Sequence, residues 1–271
     1  MAQGTQAISQ ADIARDLRGI GLKAGDMVYV HTSMKRIGWL EHGAQTLIDA
    51  FADVLGAQGT LCVPTHTLSF SKSAPYDPLE TAAVLGAFPD ALWRNAHALR
   101  SGHASHSSAA IGLKAEWLTK DHDPTHALGY NSPLHRLYRA GGRILLIGVT
   151  FRACTALHLA ESLSGVPYTK LHYDASWGPQ VFARNQDGTI SAYSQVEFPG
   201  CSSRFDLILP HLPDGSLHTG QIGAAAGMLV DVVPLVDTAV RLIKEDLFFF
   251  LCSSQSCPCC PPRRALLAAD E

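Results

Sequence analysis

Short apolar runs of strand length recur through the first half of the chain, each closed by polar residues and followed by a helical pattern. Residues 27–30 run Met-Val-Tyr-Val into His31, residues 59–64 run into Thr65-His66-Thr67, and residues 144–149 read Ile-Leu-Leu-Ile-Gly-Val before Thr150. The last run is apolar at every position, the pattern of a strand covered on both faces. Helical periodicity is predicted over 10–17 behind the N-cap Ser9, with Gly19 and Gly21 ending it, over 43–55, over 84–95, as a short turn at 116–120, and over 132–138 with Pro133 in its first turn. A further helix starts at Ala156 behind Thr155, which has the chemistry of an N-cap. Serines and histidines alternate over 99–112, as small polar residues do in a strand that approaches a ligand. Beyond Glu161 the pattern changes. Residues 181–184 and 190–193 flank Gln186-Asp187-Gly188, a hairpin signal that predicts an antiparallel addition to the sheet. A polar helix from Ser203, a glycine-rich segment at 220–227 and an amphipathic helix over 237–250 complete the pattern, with no internal repeat. The expected fold is α/β: a mixed central sheet with helices on both faces and an added antiparallel hairpin.

Composition narrows the function classes. With 271 residues, 46% of them hydrophobic, the chain can bury a large core. A formal charge of −3 and the lack of any basic block argue against a nucleic-acid partner. No apolar run approaches the roughly 20 residues of a membrane span. Met1-Ala-Gln-Gly-Thr5 lacks the pattern of a signal peptide, so the expected location is the cytoplasm. Seven cysteines, four of them between 252 and 260, fit a reducing compartment better than a disulfide framework. Cys252, Cys257 and Cys260 have the spacing of a structural zinc clip, with Cys201 as a fourth ligand from a distant loop and Cys259 left over. The alternative is a loose tail of free thiols after Leu251, because Pro261-Pro262 and Arg263-Arg264 interrupt regular structure. Either way the chain divides into one α/β domain over 1–251 and a cysteine-rich tail over 252–271.

The chemistry concentrates after the strand at 144–149. His158 and Glu161 stand i, i+3 and project from one helix face within reach of each other. In open α/β sheets, ligands bind beyond the carboxyl ends of the strands, where this turn lies. A histidine oriented by a carboxylate is equipped as a general base; a surface ion pair is the competing reading. The abundance of histidine around His103 and His106 raises a metal-dependent hydrolase as another, although the His-x-x-x-His pattern on a helix is missing.

The ordered set of motifs resembles one family. Gly148-Val149 followed by Thr155-Ala-Leu-His-Leu-Ala-Glu161 is similar to the signature of the aminoglycoside 3-N-acetyltransferases, the acetyl-CoA-dependent antibiotic acetyltransferases. Val28-Tyr-Val-His-Thr-Ser33 with Gly38-Trp39, Gly59-Thr-Leu-Cys-Val-Pro-Thr65, Tyr76-Asp77-Pro78, Arg100-Ser-Gly-His103 with Ser107, Ser132-Pro-Leu134 and the terminal cysteines follow in that family's order, from about residue 8 to 264. The resemblance implies direct acetyl transfer from acetyl-CoA to an amine. It implies His158 as base, Glu161 as its orienting partner, and Thr155 and His31 lining the same pocket. It assigns Thr32, Ser33, Lys35, Arg36, His103 and Ser107 to the coenzyme, and His66, Asp77 and Asp174 to the amine. An aminoglycoside is a polycation and calls for carboxylates. The loop after Pro64 supplies few, which leaves a different small amine, or an inactive coenzyme-binding homologue, as alternatives.

Overall fold

Three parallel strands lie at the centre of the molecule and carry the polar strand ends forward. The computed structural model describes residues 7–67, 72–171, 180–185 and 187–269. Its strands are β1 (Met27–Thr32), β2 (Thr60–Pro64), β3 (Leu99–Arg100), β4 (Ser108–Gly112), β5 (Arg143–Ile147), β6 (Gln180–Arg184), β7 (Ile190–Ser194), β8 (Leu217–Ile222) and β9 (Ala225–Asp231). The main sheet has the order β3-β4-β2-β1-β5-β9-β8. Within it β2, β1 and β5 are parallel, and the outer strands add antiparallel. His31 stands beside Leu146 and Thr32 beside Ile147, so the carboxyl ends of β1 and β5 finish level.

Helices α1 (Gln10–Gly19), α2 (Met34–Ile37), α3 (Ala44–Leu55), α4 (Ala87–Trp93), α5 (Ala115–Thr119), α6 (Pro133–Arg139), α7 (Ala156–Ser164), α8 (Val232–Glu245) and α9 (Cys260–Ala269) cover the sheet. Strand alternation divides the core between its two faces. Val28, Val30, Leu145 and Ile147 pack with Leu17, Phe51 and Phe88 of α1, α3 and α4. Tyr29, Ile144 and Leu146 pack on the other face with Leu118, Leu137, Leu157, Leu235 and Leu267 of α5 to α9. The start of α1 is fixed as its sequence predicts. The Ser9 hydroxyl accepts from the Asp12 N–H, and the Asp12 carboxylate accepts from the Ser9 N–H, closing a capping box.

Several expectations are corrected. The hairpin β6–β7 forms at the expected place but makes a two-stranded sheet of its own, anchored by the N–H of Tyr76 to Phe182 O and of Arg184 to Tyr76 O. The glycine-rich segment is a pair of sheet strands, β8 and β9. Gly220 faces Gly227 across the ladder, and a Cβ at Gly227 would stand 3.0 Å from Ile20, so these glycines let α1 lie close to the sheet. Residues 205–211 form a 3-10 helix rather than an α-helix, with Pro210 inside it. The last long amphipathic helix begins at Val232 and ends at Glu245, where the Asp246 carboxylate turns the chain by accepting the Phe248 N–H. The tail is not loose. Helix α9 includes both prolines, places Arg263 fully inside the protein, and buries Cys260 and Leu267 in the same core as α7 and α8. Pro261 and Pro262 sit in its first turn, where a missing N–H costs no hydrogen bond.

Candidate active site

The level ends of β1 and β5 open onto the N-terminus of α7. Gly148 lets the chain turn there: its φ is +65°, and a Cβ would meet Arg36 Cβ at 2.8 Å, so the loop after β1 lies against it. A 3-10 turn at Phe151–Ala153 then delivers Thr155. Thr155 occupies the N-cap position of α7 but caps nothing with its side chain, contrary to the sequence expectation. Its hydroxyl faces His31 instead, 3.4 Å from Nε2.

One turn into α7, His158 Nδ1 lies 2.6 Å from Glu161 Oε2. This is not a surface ion pair, because the side chains are only 9% and 2% exposed. Glu161 Oε1 accepts from the Tyr168 hydroxyl at 3.3 Å. Burial, followed by the charge of Glu161, raises the Tyr168 pKa and keeps the phenol a donor. Phe205 meets the His158 ring edge-to-face at 4.7 Å. With Nδ1–H given to a carboxylate, Nε2 is left as the lone-pair nitrogen.

His158 and Glu161 line a narrow cavity of only about 10 Å³, bordered also by Gly129, Glu197 and Phe198. Glu197 was not singled out by sequence reasoning. It is half-buried, and its Oε2 accepts from Ser162 Oγ at 2.7 Å. Gly129 permits this approach, since a Cβ there would come within 2.4 Å of the same oxygen. The Phe-Pro-Gly that follows Glu197 marks a turn, not a site, and no spacing ties it to His158.

Histidines form the side of the site nearest β2. His66 and His106 have ring centroids 4.6 Å apart, and His103 stands 4.8 Å from His122. Burial pushes His31 and His106 down to about 3 and His122 to about 4. His66 and His103 are held well below the usual range, again by burial first and then by neighbouring histidines. These rings are neutral at ordinary pH. The Nε2 atom of His66 is buried without a hydrogen-bond partner among the described residues. The predicted coenzyme residues separate into two groups. Thr32, Ser33, Lys35 and Arg36 cluster at the mouth of β1, with Lys35 and Arg36 exposed, the Ser33 N–H bonded to Ile147 O, and the Thr32 hydroxyl unpartnered among the described residues. His103 and Ser107 do not belong with them. Both are fully buried. His103 Nδ1 accepts from the N–H groups of Ser105 and His106, and Ser107 Oγ donates to Thr65 O. Their side chains hydrogen-bond within the protein, His103 around its own turn and Ser107 to the residue that follows β2.

Asp77 is likewise committed. Helix α4 begins ten residues later, so no helix dipole acts on it. One carboxylate oxygen accepts the Leu79 N–H and the other pairs with Arg184 at 3.3 Å. Asp174 lies outside the described residues. A separate cavity of about 650 Å³ opens at the opposite end of the sheet, where Arg143 is already paired with Asp26 and Asp231, and it holds none of this chemistry.

The tail cysteines do converge. The sulfurs of Cys201, Cys252, Cys257 and Cys260 lie within 4.8 Å of one another. Backbone N–H groups point at three of them, from Ser203 to Cys201, from Cys260 to Cys257 and from Cys252 to Cys260. All seven cysteines are free thiols, and Cys259 takes the Cys201 N–H. No helix among the described residues is long and apolar enough to cross a membrane.

Residues 29–244 match the family model described as aminoglycoside 3-N-acetyltransferase. Aminoglycoside N(3)-acetyltransferase VII of Streptomyces paromomycinus is 32% identical, over 89% of this chain and 93% of the relative. Aminoglycoside N(3)-acetyltransferase IV of a Salmonella species is also 32% identical, over 89% and 90%. Among solved structures, a mutant of aminoglycoside acetyltransferase AAC(3)-IVa in complex with gentamicin superposes with a TM-score of 0.84 at 29% identity, covering 97% of this chain and 99% of that one. The enzyme AAC-IIIb in binary complex with CoASH gives 0.77 at 27% identity, covering 89% and 97%.

Proposed function

The chain belongs to the aminoglycoside 3-N-acetyltransferase family, and from that premise we propose that it transfers the acetyl group of acetyl-CoA to the 3-amino group of an aminoglycoside. The observation that carries this reading is the His158–Glu161 pair, 2.6 Å apart at the strand ends. An ammonium must lose a proton before it can attack. His158 Nε2 takes that proton, and the Glu161 carboxylate stabilises the imidazolium that forms. The amine lone pair then adds to the thioester carbonyl. The C–S bond breaks as the amide forms, and the second proton that the nitrogen sheds passes to the leaving thiolate. Charge gathers on the carbonyl oxygen in between, and the Thr155 hydroxyl, held beside His31 at the start of α7, is the donor assigned to it.

The coenzyme occupies the mouth of β1, where Lys35 and Arg36 meet its phosphates and Thr32 and Ser33 supply hydroxyls. Glu197, which borders the same narrow cavity as His158, offers the polycation an anion near the base. The neutral histidines at His66 and His106 add no positive charge to repel it. The setting that suits the substrate and seven free thiols is the reducing cytoplasm.

The four converging cysteines hold a structural zinc. A tetrahedral site with Zn–S bonds of about 2.3 Å needs its sulfurs roughly 3.8 Å apart, within the spread observed. N–H groups aimed at the sulfurs favour thiolates.

The test is thiol release from acetyl-CoA with gentamicin and with a simple monoamine, using the wild-type chain and His158→Ala. Gentamicin should be acetylated, and the variant should lose roughly 10²–10⁴ in kcat while still binding acetyl-CoA. Turnover of the monoamine alone would leave the reaction and discard the antibiotic. Full turnover by the variant would move the base elsewhere.

A further inference from the structure

Arg263 is a cation in the wrong place for a tail. It is 0% exposed, and no carboxylate pairs with it among the described residues. Its Nε and one terminal nitrogen are buried without hydrogen-bond partners among the described residues. Burying a guanidinium with part of its donors unmet costs several kcal/mol. Its contacts show what it holds. The other terminal nitrogen donates to Leu171 O and to Phe198 O, each at 3.0 Å. Its carbon lies 5.5 Å from the centroid of the Tyr168 ring, a cation–π contact. Gly200 is needed for this position, because a Cβ there would fall 2.2 Å from the guanidinium nitrogen.

Each contact leads to the active site. Phe198 follows Glu197, the carboxylate on the cavity wall. Tyr168 donates to Glu161, which holds His158. Leu171 closes the segment that follows α7. One side chain from α9 therefore ties both walls of the cavity, and α9 is itself fixed one turn earlier by Cys260.

We infer that Arg263 is a positioning residue for acetyl transfer, setting the Glu197 wall and the Tyr168–Glu161–His158 hydrogen-bond chain from the cysteine-anchored C-terminal helix. The inference rests on the acetyl transfer proposed above, and the two fail separately: an inert wild-type chain refutes that reading, whereas this one is judged only by variants of an active chain.

The experiment compares Arg263→Met, Arg263→Lys, Gly200→Ala and Tyr168→Phe with the wild type, each corrected for its folded fraction by circular dichroism. In Arg263→Met, kcat/KM for the amine should fall roughly 10²-fold, the size of loss that a displacement of about 1 Å produces. The KM for acetyl-CoA should stay within about twofold, since Lys35 and Arg36 lie on the loop after β1 and Arg263 contacts neither of them among the described residues. Lysine keeps the charge and one donor, so Arg263→Lys should recover part of the loss. Gly200→Ala, which leaves the arginine in the chain and crowds it, should move the amine KM in the same direction. The pH–kcat profile should shift in Arg263→Met and in Tyr168→Phe alike, because both disturb the carboxylate that holds the base. If Arg263→Met does not fold, Gly200→Ala and Tyr168→Phe still decide. Unchanged kinetics per folded molecule in the variants that fold, or equal losses for amine and acetyl-CoA with an unmoved pH profile, would overturn the inference and leave Arg263 a purely structural residue.

Discussion

The carboxylate of Glu161 does two jobs for His158 that a neutral amide would divide. It accepts Nδ1–H and so fixes the tautomer, and in the proposed transfer it supplies the counter-charge for the imidazolium. Glu161→Gln retains an acceptor and loses the charge. Charged hydrogen bonds exceed neutral ones by about 1–1.5 kcal/mol, so kcat should fall by about tenfold rather than to the level of His158→Ala. A loss as large as that of His158→Ala would mean that the amide turns and stabilises the wrong tautomer. In the proposed transfer, Glu197 serves binding and not chemistry. Glu197→Gln keeps the Ser162 hydrogen bond and removes the anion, and it should raise the KM for a polycationic amine with kcat nearly unchanged. An unchanged KM would return the substrate charge to other acids. Asp77→Asn should do little to either parameter, since the charge of Asp77 is already met by Arg184.

At the level of elements, the short helix α2 and the loop before it form a unit held from behind by Gly148. Lys35 and Arg36 stand exposed on it, so their double replacement by alanine should weaken acetyl-CoA binding at low salt and matter progressively less as salt rises. Isothermal titration at two salt concentrations checks this, and an unchanged affinity at low salt would remove the loop from the coenzyme site. This loop, the strands around it and the His158–Glu161 pair were legible in sequence because each is local: an apolar run, a cap, an i, i+3 spacing. The parts that stayed hidden are those where distant segments meet. Glu197 reaches the cavity only through Gly129 and Ser162, and Arg263 only through the packing of α9. His103 and Ser107 read as ligand-facing because small polar residues look alike whether they face a ligand or one another. The β8–β9 pair was obscured by glycines whose purpose is to admit Ile20. The cysteine clip shows both effects: its spacing was visible, but the helix that Cys260 begins was not, as the prolines that normally stop a helix here start one. If the clip holds zinc, Cys252→Ser should lower the metal content from about one atom per chain and lower Tm, as should a strong chelator. Purified protein with no zinc and no response to chelation would exclude the metal.

Across the whole molecule, the buried histidines tie the stability of the fold to pH. His31 and His106 titrate at about 3 and His122 at about 4, with His66 and His103 also well depressed, while the same side chains in the unfolded chain titrate near 6.5. Their folded pKa values lie below their unfolded ones, so between about 6.5 and 3 the unfolded state binds more protons than the native state. Stability must therefore rise with pH through this window and fall as the solution is acidified. Above about 6.5 both states hold these rings neutral, and their contribution to the pH dependence vanishes. Each ring that unfolding lets protonate removes about 1.4 kcal/mol per pH unit below its unfolded pKa. Several rings acting together outweigh the gains that carboxylate pairs such as Asp77–Arg184 retain over the same range, because those surface pairs are worth at most about 1 kcal/mol each. The expected result is a Tm that is flat from pH 8 to 7 and drops steeply between pH 6 and 4.5, with unfolding accompanied by uptake of more than one proton. Replacing His122 by Gln should flatten that drop, because a neutral amide can still give a hydrogen bond toward Ala127 O and has no proton to gain on unfolding. A Tm that stays level from pH 7 to 4.5, or a His122→Gln variant with an unaltered slope, would show that these rings gain protons within the folded protein and that the cluster is open to water.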